Sequence, residues 1–191
     1  MNSRADRDAR TTELALAAGR GDHRALESFI RETQRDVWRF IAHLSSVAAA
    51  DDLTQETYLR AMKSLPRFAA QSSARTWLLS IARRVVVDQV RSAMSRPRLV
   101  GSDDWIAAAD TAHSESSTST NHSEDLVEVR MLLAGLPTER REALILTQVL
   151  GLSYDEAAHV LGCPIGTVRS RVARAREQLV AAARADGENT G

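Results

Sequence analysis

The chain has 191 residues, 43% of them hydrophobic and 26% charged, and its 25 basic and 25 acidic groups cancel. That composition excludes collagen-like, low-complexity and membrane-spanning classes and leaves one large globular domain or two small ones. The one cysteine, Cys163, excludes a disulfide framework within the chain, and aromatics at 4% leave the core to Leu, Val, Ile and Ala, which favours helical bundles over a sheet.

In chain order, the first 22 residues hold no apolar run long enough for a signal peptide, so a cytoplasmic protein without a membrane segment is expected. From about Thr11 to Met94 the pattern is helical. Leu14, Leu16, Leu26, Phe29, Ile30, Val37, Trp38, Phe40, Ile41 and Leu44 recur at three-to-four spacing, with Gly19 and Gly21 marking a break. "AADDLTQETYLRAMKSL" is a second unit, opened by acids that suit a helix N-terminus and closed by Pro66. "SSARTWLLSIARRVVVDQVRSAM" is a third, with Ser72 or Ser73 as N-cap and Pro97 past its end. Trp77 recurs with Leu78 and Ile81 at core spacing, so it reads as core rather than as a stacking platform.

The character then changes. "GSDDWIAAADTAHSESSTSTNHSED" is rich in Ser, Thr and Asp without sustained apolar periodicity, and reads as a flexible linker with at most a helical turn near Trp105. Order resumes at about Asp125 with four helical patterns: "LVEVRMLLAGLP", "TERREALILTQVLG", "SYDEAAHVLG" and "PIGTVRSRVARAREQLVAAA". Ser153 with Glu156 makes a capping box, Gly151 and Gly162 stand where C-terminal glycines belong, and Pro164 suits a first helical turn.

Neutrality conceals segregation. Residues 60–98 carry nine basic groups against Asp88 alone, whereas residues 99–129 carry seven acids and no Lys or Arg. A concentrated basic block (Arg60, Lys63, Arg67, Arg75, Arg83, Arg84 and Arg91) points to a polyanion met locally. A second basic surface lies near the C-terminus. On a helix of 3.6 residues per turn, Val172, Ala175 and Leu179 fall within about 40° of Val168 as an inward stripe. Arg169, Ser170, Arg174 and Arg176 spread over the opposite arc with Thr167, and Arg171 lies on the flank. The short helix Ser153–Leu161 precedes it through the tight turn Gly162-Cys163-Pro164, which makes a helix-turn-helix. A merely solvated helix mixes both signs. Here Glu177 alone opposes five arginines between 169 and 184, which favours a DNA-reading helix. Thr167, Arg169, Ser170 and Arg174 are the best placed for base edges, and the arginines in general for phosphates.

No active site is apparent. His159 and Cys163 lie four apart, but no Cys or His pair completes a metal site, and His43, Asp51 and Asp52 lack a nucleophile. No catalytic residue, metal or cofactor is expected, and the chain is not read as an enzyme.

"ADDLTQETYLRAMKSLPRF", "SSARTWLLSIARRVVVDQVR" and "LPTERREALILTQVLGLSYDEAAHVLGCPIGTVRSRVARARE", in that order, resemble bacterial sigma factors of the extracytoplasmic-function (group 4) family. The resemblance covers nearly the whole chain outside the linker and both tails. It implies an all-α protein of two small helical domains: a region 2 domain at 11–98 and a region 4 domain at 125–184, joined by the flexible acidic linker 99–124. The implied partners are core RNA polymerase, through its β′ clamp coiled coil and β flap, and promoter DNA. Some members are held by an anti-sigma factor and others are not, and no segment here identifies one.

By the same resemblance, Asp52, Gln55, Glu56, Leu59 and Met62 would dock on core polymerase. Asp52, Gln55, Leu59 and Met62 also share one helical arc away from Leu53 and Thr57, a mixed face suited to a protein interface. Arg60, Lys63, Gln71, Ser72, Ser73, Arg75, Arg83, Arg84 and Arg91 would recognise and open the minus-ten element. Thr167, Arg169, Ser170, Arg171, Arg174 and Arg176 would bind the minus-35 element. Ala74 stands where many members have an aromatic, and Arg84 where many have Asn, which leaves open the base that is captured. The linker has three readings: an RNA mimic in a basic tunnel, a solubilising tether, or a mask over the basic block. The competing function is a stand-alone helix-turn-helix regulator with an N-terminal sensing or dimerisation domain.

Overall fold

The computed structural model describes residues 4–95 and 132–188, and no strand occurs among them. The fold is all-α. The acidic segment 99–124 with its three readings, Trp105 and Pro97 lie outside the described residues.

Helix α1 spans Arg4–Gly19, beginning well before Thr11, and buries Thr11 and Ala15. It stops where the chain must pass closely. A Cβ on Gly19 would lie 2.7 Å from the Leu65 carbonyl oxygen, and Gly21 holds a φ of +99° that other residues avoid. Asp22 then opens α2 (His23–Leu44), its carboxylate accepting from Arg24 N at 2.9 Å and Ala25 N at 3.0 Å. The stripe Ala25, Phe29, Thr33, Val37, Phe40 and Ile41 is buried, which is the spacing that turned one α2 face into core.

Helix α3 (Val47–Ser64) starts earlier than its acids suggest. Ser46 is its N-cap, accepting from Ala49 N at 3.2 Å, and Asp51 instead accepts from the Trp38 indole at 2.8 Å. The acids therefore sit in the second turn, because a serine five to six residues upstream supplies the cap. A 3₁₀ turn, Leu65–Arg67, closes α3 and carries Pro66. After a loop over 68–73 comes α4 (Ala74–Ser95), with Ser73 rather than Ser72 capping Thr76 N at 3.1 Å. Leu78, Leu79, Ile81, Ala82, Val85 and Val86 are buried along it. Within this part Thr33 and Tyr58 share a buried hydrogen bond of 2.8 Å, and burial pushes the Tyr58 phenol up to about 12.

In the second part, α5 (Thr138–Leu144) widens into a π turn, Ile145–Val149, that leaves Gln148 and Val149 exposed and returns Leu150 to the core. Helix α6 (Tyr154–Leu161) has the reciprocal capping box. Ser153 Oγ accepts from Glu156 N at 3.2 Å, and Glu156 accepts from Ser153 N at 2.8 Å. Gly162 closes it in the left-handed region at φ 64°. Helix α7 (Ile165–Glu188) follows directly after Pro164 and buries Val168, Val172 and Ala175.

α1 packs on α2, α2 on α3 and α4, and α5 and α6 on α7. The two parts also meet. α4 lies against α6, α2 reaches α5 and the π turn, and the buried apolar residues run continuously from one part into the other. Among the described residues no helix is long and apolar enough to cross a membrane.

Candidate nucleic-acid interface

The outward face of α3 is built as the arc implied. Leu53 and Thr57 are buried, while Asp52 and Gln55 are exposed, as are Leu59 at 44% and Met62 at 38%. Two large apolar side chains left in water beside an acid and an amide form a surface with something to gain from a partner. Glu56 is half-buried and pairs with Arg60 at 2.7 Å.

The basic block divides once folded. Lys63, Arg84 and Arg91 are exposed, and so is Gln71 at the loop tip, with Ser72 and Ser73 partly covered. Arg60 is held by Asp88 and Glu56, whose hydrogen bonds raise its pKa. Arg75 is buried, donating to Asp36 from Nε at 2.7 Å and to the Leu150 carbonyl from Nη2 at 2.7 Å. Arg83 donates from Nε to Glu142 at 2.9 Å. Leu150 and Glu142 belong to the second part of the chain, so two of the nine implied minus-ten residues are engaged across the junction. Trp77 is half-buried, its ring 4.8 Å from that of Phe68 and tilted by 40°, so it closes the edge of the core beneath the loop.

Glu142 was not singled out in the sequence, although an acid inside the buried run Ala143, Leu144, Ile145 and Leu146 is the signal for it. Its Oε2 has no partner, and burial raises its pKa against the opposing pull of Arg83. Arg4 forms a further tie across the junction, to Glu156. Burial pushes the Glu156 carboxyl up, but hydrogen bonds from Ser153 and the charge of Arg4 bring it below the usual carboxylate range.

On α7, Arg169, Ser170 and Arg174 are exposed on the side opposite Val168 and Val172, with Thr167 partly covered beside them. The flanking Arg171 donates to the Cys163 sulfur at 3.6 Å, and Arg176 donates to Gln148 in the π turn at 2.6 Å. The helix thus presents a compact polar and basic N-terminal half, with Arg171 and Arg176 tied to its own scaffold. His159 is 64% exposed and stands 3.9 Å from Asp155, and among the described residues no three His, Cys, Asp or Glu gather to hold a metal.

This geometry has close counterparts. The Sigma-70 region 2 family matches residues 29–96, and the Sigma-70 region 4 family matches residues 126–179. The chain is 55% identical over 187 residues to the ECF RNA polymerase sigma factor SigC of Mycobacterium tuberculosis, covering 97% of this chain and 98% of that one. Among solved structures it is similar to CnrH in complex with the cytosolic domain of CnrY, with a TM-score of 0.71 and 27% identity over 93% of this chain and 99% of that one. It is also similar to the sigma factor RpoE in complex with the anti-sigma factor NepR from Bartonella quintana, with a TM-score of 0.65 and 30% identity over 81% and 93% of the two chains.

Proposed function

The chain belongs to the extracytoplasmic-function RNA polymerase sigma factors, and from that premise we propose how its parts divide the work of directing promoter-specific transcription. Residues 11–98 form the part that docks on core polymerase and recognises and opens the minus-ten element. Residues 125–184 read the minus-35 element, and residues 99–124 tie the two. α3 offers Asp52, Gln55, Glu56, Leu59 and Met62 to the β′ clamp coiled coil, while the second part faces the β flap. Lys63, Gln71, Ser72, Ser73, Arg84 and Arg91 meet the minus-ten strand, with Arg60 alongside. Thr167, Arg169, Ser170 and Arg174 enter the major groove, flanked by Arg171 and Arg176.

Arg75 and Arg83 complete the minus-ten surface only when the second part moves off them, since Leu150 and Glu142 hold both guanidinium groups in the arrangement described. Polymerase docking supplies the free energy for that separation by holding the two parts on different surfaces. Sigma factors are not enzymes in general. In this reading the chain does no covalent chemistry, takes no cofactor, works in the cytoplasm, and leaves nucleotidyl transfer to the polymerase. The relatives solved in complex with the cytosolic domain of CnrY and with the anti-sigma factor NepR support an anti-sigma partner as a further ligand.

The observation that carries this reading is the exposed pair Leu59 and Met62 beside Asp52 and Gln55, a mixed apolar and acidic face on the same part of the chain as the basic block, which supports docking on polymerase beside DNA. The experiment is co-elution of the purified chain with bacterial core polymerase, followed by run-off transcription. Leu59→Asp should abolish co-elution and initiation together. A chain that neither binds core nor starts transcripts at any promoter would favour the stand-alone regulator.

A further inference from the structure

Helix α1 precedes the segment that the region 2 family matches, yet it holds both ends of the loop that carries Gln71, Ser72 and Ser73. At one end, the missing side chain of Gly19 admits the Leu65 carbonyl, from which the loop departs through Phe68 N bonded to Leu65 O at 3.0 Å. At the other end, the N–H of Ala74, the first residue of α4, donates to the Thr12 hydroxyl at 3.0 Å across 62 residues of sequence.

The direction of that bond is set. The Thr12 hydroxyl spends its one proton on the Asp8 carbonyl at 2.7 Å, so a lone pair is what it presents to Ala74. The local caps are already committed: Ser73 Oγ accepts from Thr76 N at 3.1 Å, and Ser72 Oγ faces the Ser73 carbonyl at 3.4 Å. Ala74 is fully buried, so without Thr12 its N–H is an orphan donor in the first turn of α4. Between the anchors Ala70 sits at φ +52°, a left-handed conformation that a residue with a Cβ holds only where its surroundings impose it.

We propose that Thr12 is a positioning residue for minus-ten recognition: its hydroxyl fixes the start of α4 and with it the placement of the loop that captures the unpaired base. The proposal rests on the minus-ten assignment of Gln71, Ser72 and Ser73 given above. Fixing the loop before DNA arrives removes an ordering cost from base capture, and the saving goes only to the base that fits.

The test uses holoenzyme reconstituted with core polymerase and a promoter identified by sequencing run-off start sites. Fork-junction duplexes of that promoter carry each of the four bases at the single-stranded minus-ten positions. Thr12→Val keeps the shape and removes the acceptor, and is expected to weaken binding of the preferred base about fivefold, the worth of one ordinary hydrogen bond. The three disfavoured bases should change less than about twofold, so the preference is compressed. Thr12→Ser, which keeps the acceptor, should restore the preference, and affinity for core polymerase should be the same in all three proteins.

Equal weakening on all four bases would overturn the proposal, because a cap that serves only folding lowers the active fraction without touching the ratio. Gln71→Ala separates the two layers of the argument. If it compresses the preference while Thr12→Val does not, the positioning role of Thr12 falls and the loop assignment stands. If neither variant compresses it, the loop assignment falls and the proposal with it.

Discussion

Replacing Arg83 with Met should release the second part of the chain from the first. Met keeps an apolar stem of similar length and removes the guanidinium that bonds Glu142 at 2.9 Å. Glu142 is then a carboxylate with a side chain 3% exposed, whose other oxygen already lacks a partner. Stranding a buried charge in this way costs about 3–5 kcal/mol. Arg83 is itself 26% exposed, so water replaces part of what is lost, and about 2–3 kcal/mol remains. That shifts the ratio of closed to open chain by about 30- to 150-fold.

The carboxyl has one other escape, which is to take up a proton. Burial already raises its pKa and Arg83 pulls it back, so without Arg83 it rises further. A carboxyl whose pKa is higher closed than open favours closure below its ordinary pKa, and that preference is lost as the pH rises through the raised value. Arg83→Met should therefore be open at neutral pH and close again on acidification. Spin labels at the exposed positions Lys63 and Glu177, in a Cys163→Ser background, would report this by double electron–electron resonance. The wild type should give one short distance distribution, and Arg83→Met at neutral pH a longer and broader one that contracts at about pH 4. The double variant Arg83→Met with Glu142→Gln should lose this pH dependence. An Arg83→Met distribution identical to the wild type at neutral pH would mean that the Arg83–Glu142 bond does not hold the two parts together.

Tyr58 should titrate at about 12 rather than 10 because burial disfavours its phenolate, so the stability it contributes is intact below 10 and is lost between the two values. Absorbance at 295 nm against pH reads this, and Tyr58→Phe should remove the late phase. Ser153→Ala removes the acceptor for Glu156 N and breaks the capping box, and should cost about 1 kcal/mol. Urea unfolding of the intact protein measures the loss, and binding of a minus-35 duplex by the holoenzyme should weaken with it. Gly19→Ala puts a Cβ 2.7 Å from the Leu65 carbonyl oxygen, and overpacking of that kind costs about 1–3 kcal/mol. Gly166→Ala, where nothing lies within 4 Å, should instead stabilise α7, and a Tm that moves the same way for both variants would contradict this account.

The elements themselves were legible because they rest on relations within a turn or two of helix. The α2 stripe, the Val168–Val172–Ala175 seam, the Ser153 capping box and the outward arc of α3 all follow from spacings of three and four. Boundaries were less so. α1 reaches back to Arg4, where the pairing partners are Asp8 and the distant Glu156, and Ser46 rather than the acids opens α3.

The basic character of the two surfaces was also written in the residue order, since charge is a property of composition. Which of those cations are already bonded within the protein was not. Arg75, Arg83 and Arg176 have partners 75, 59 and 28 residues away, and the Ala74 amide is capped from 62 residues upstream. A helical period describes which face a side chain takes, but a contact between faces depends on how whole helices come to lie together. The sequence therefore determined the parts and their charge by local repetition. The tertiary structure alone decided which cations are exposed and which are held inside the junction, because those pairings join segments that no periodicity connects.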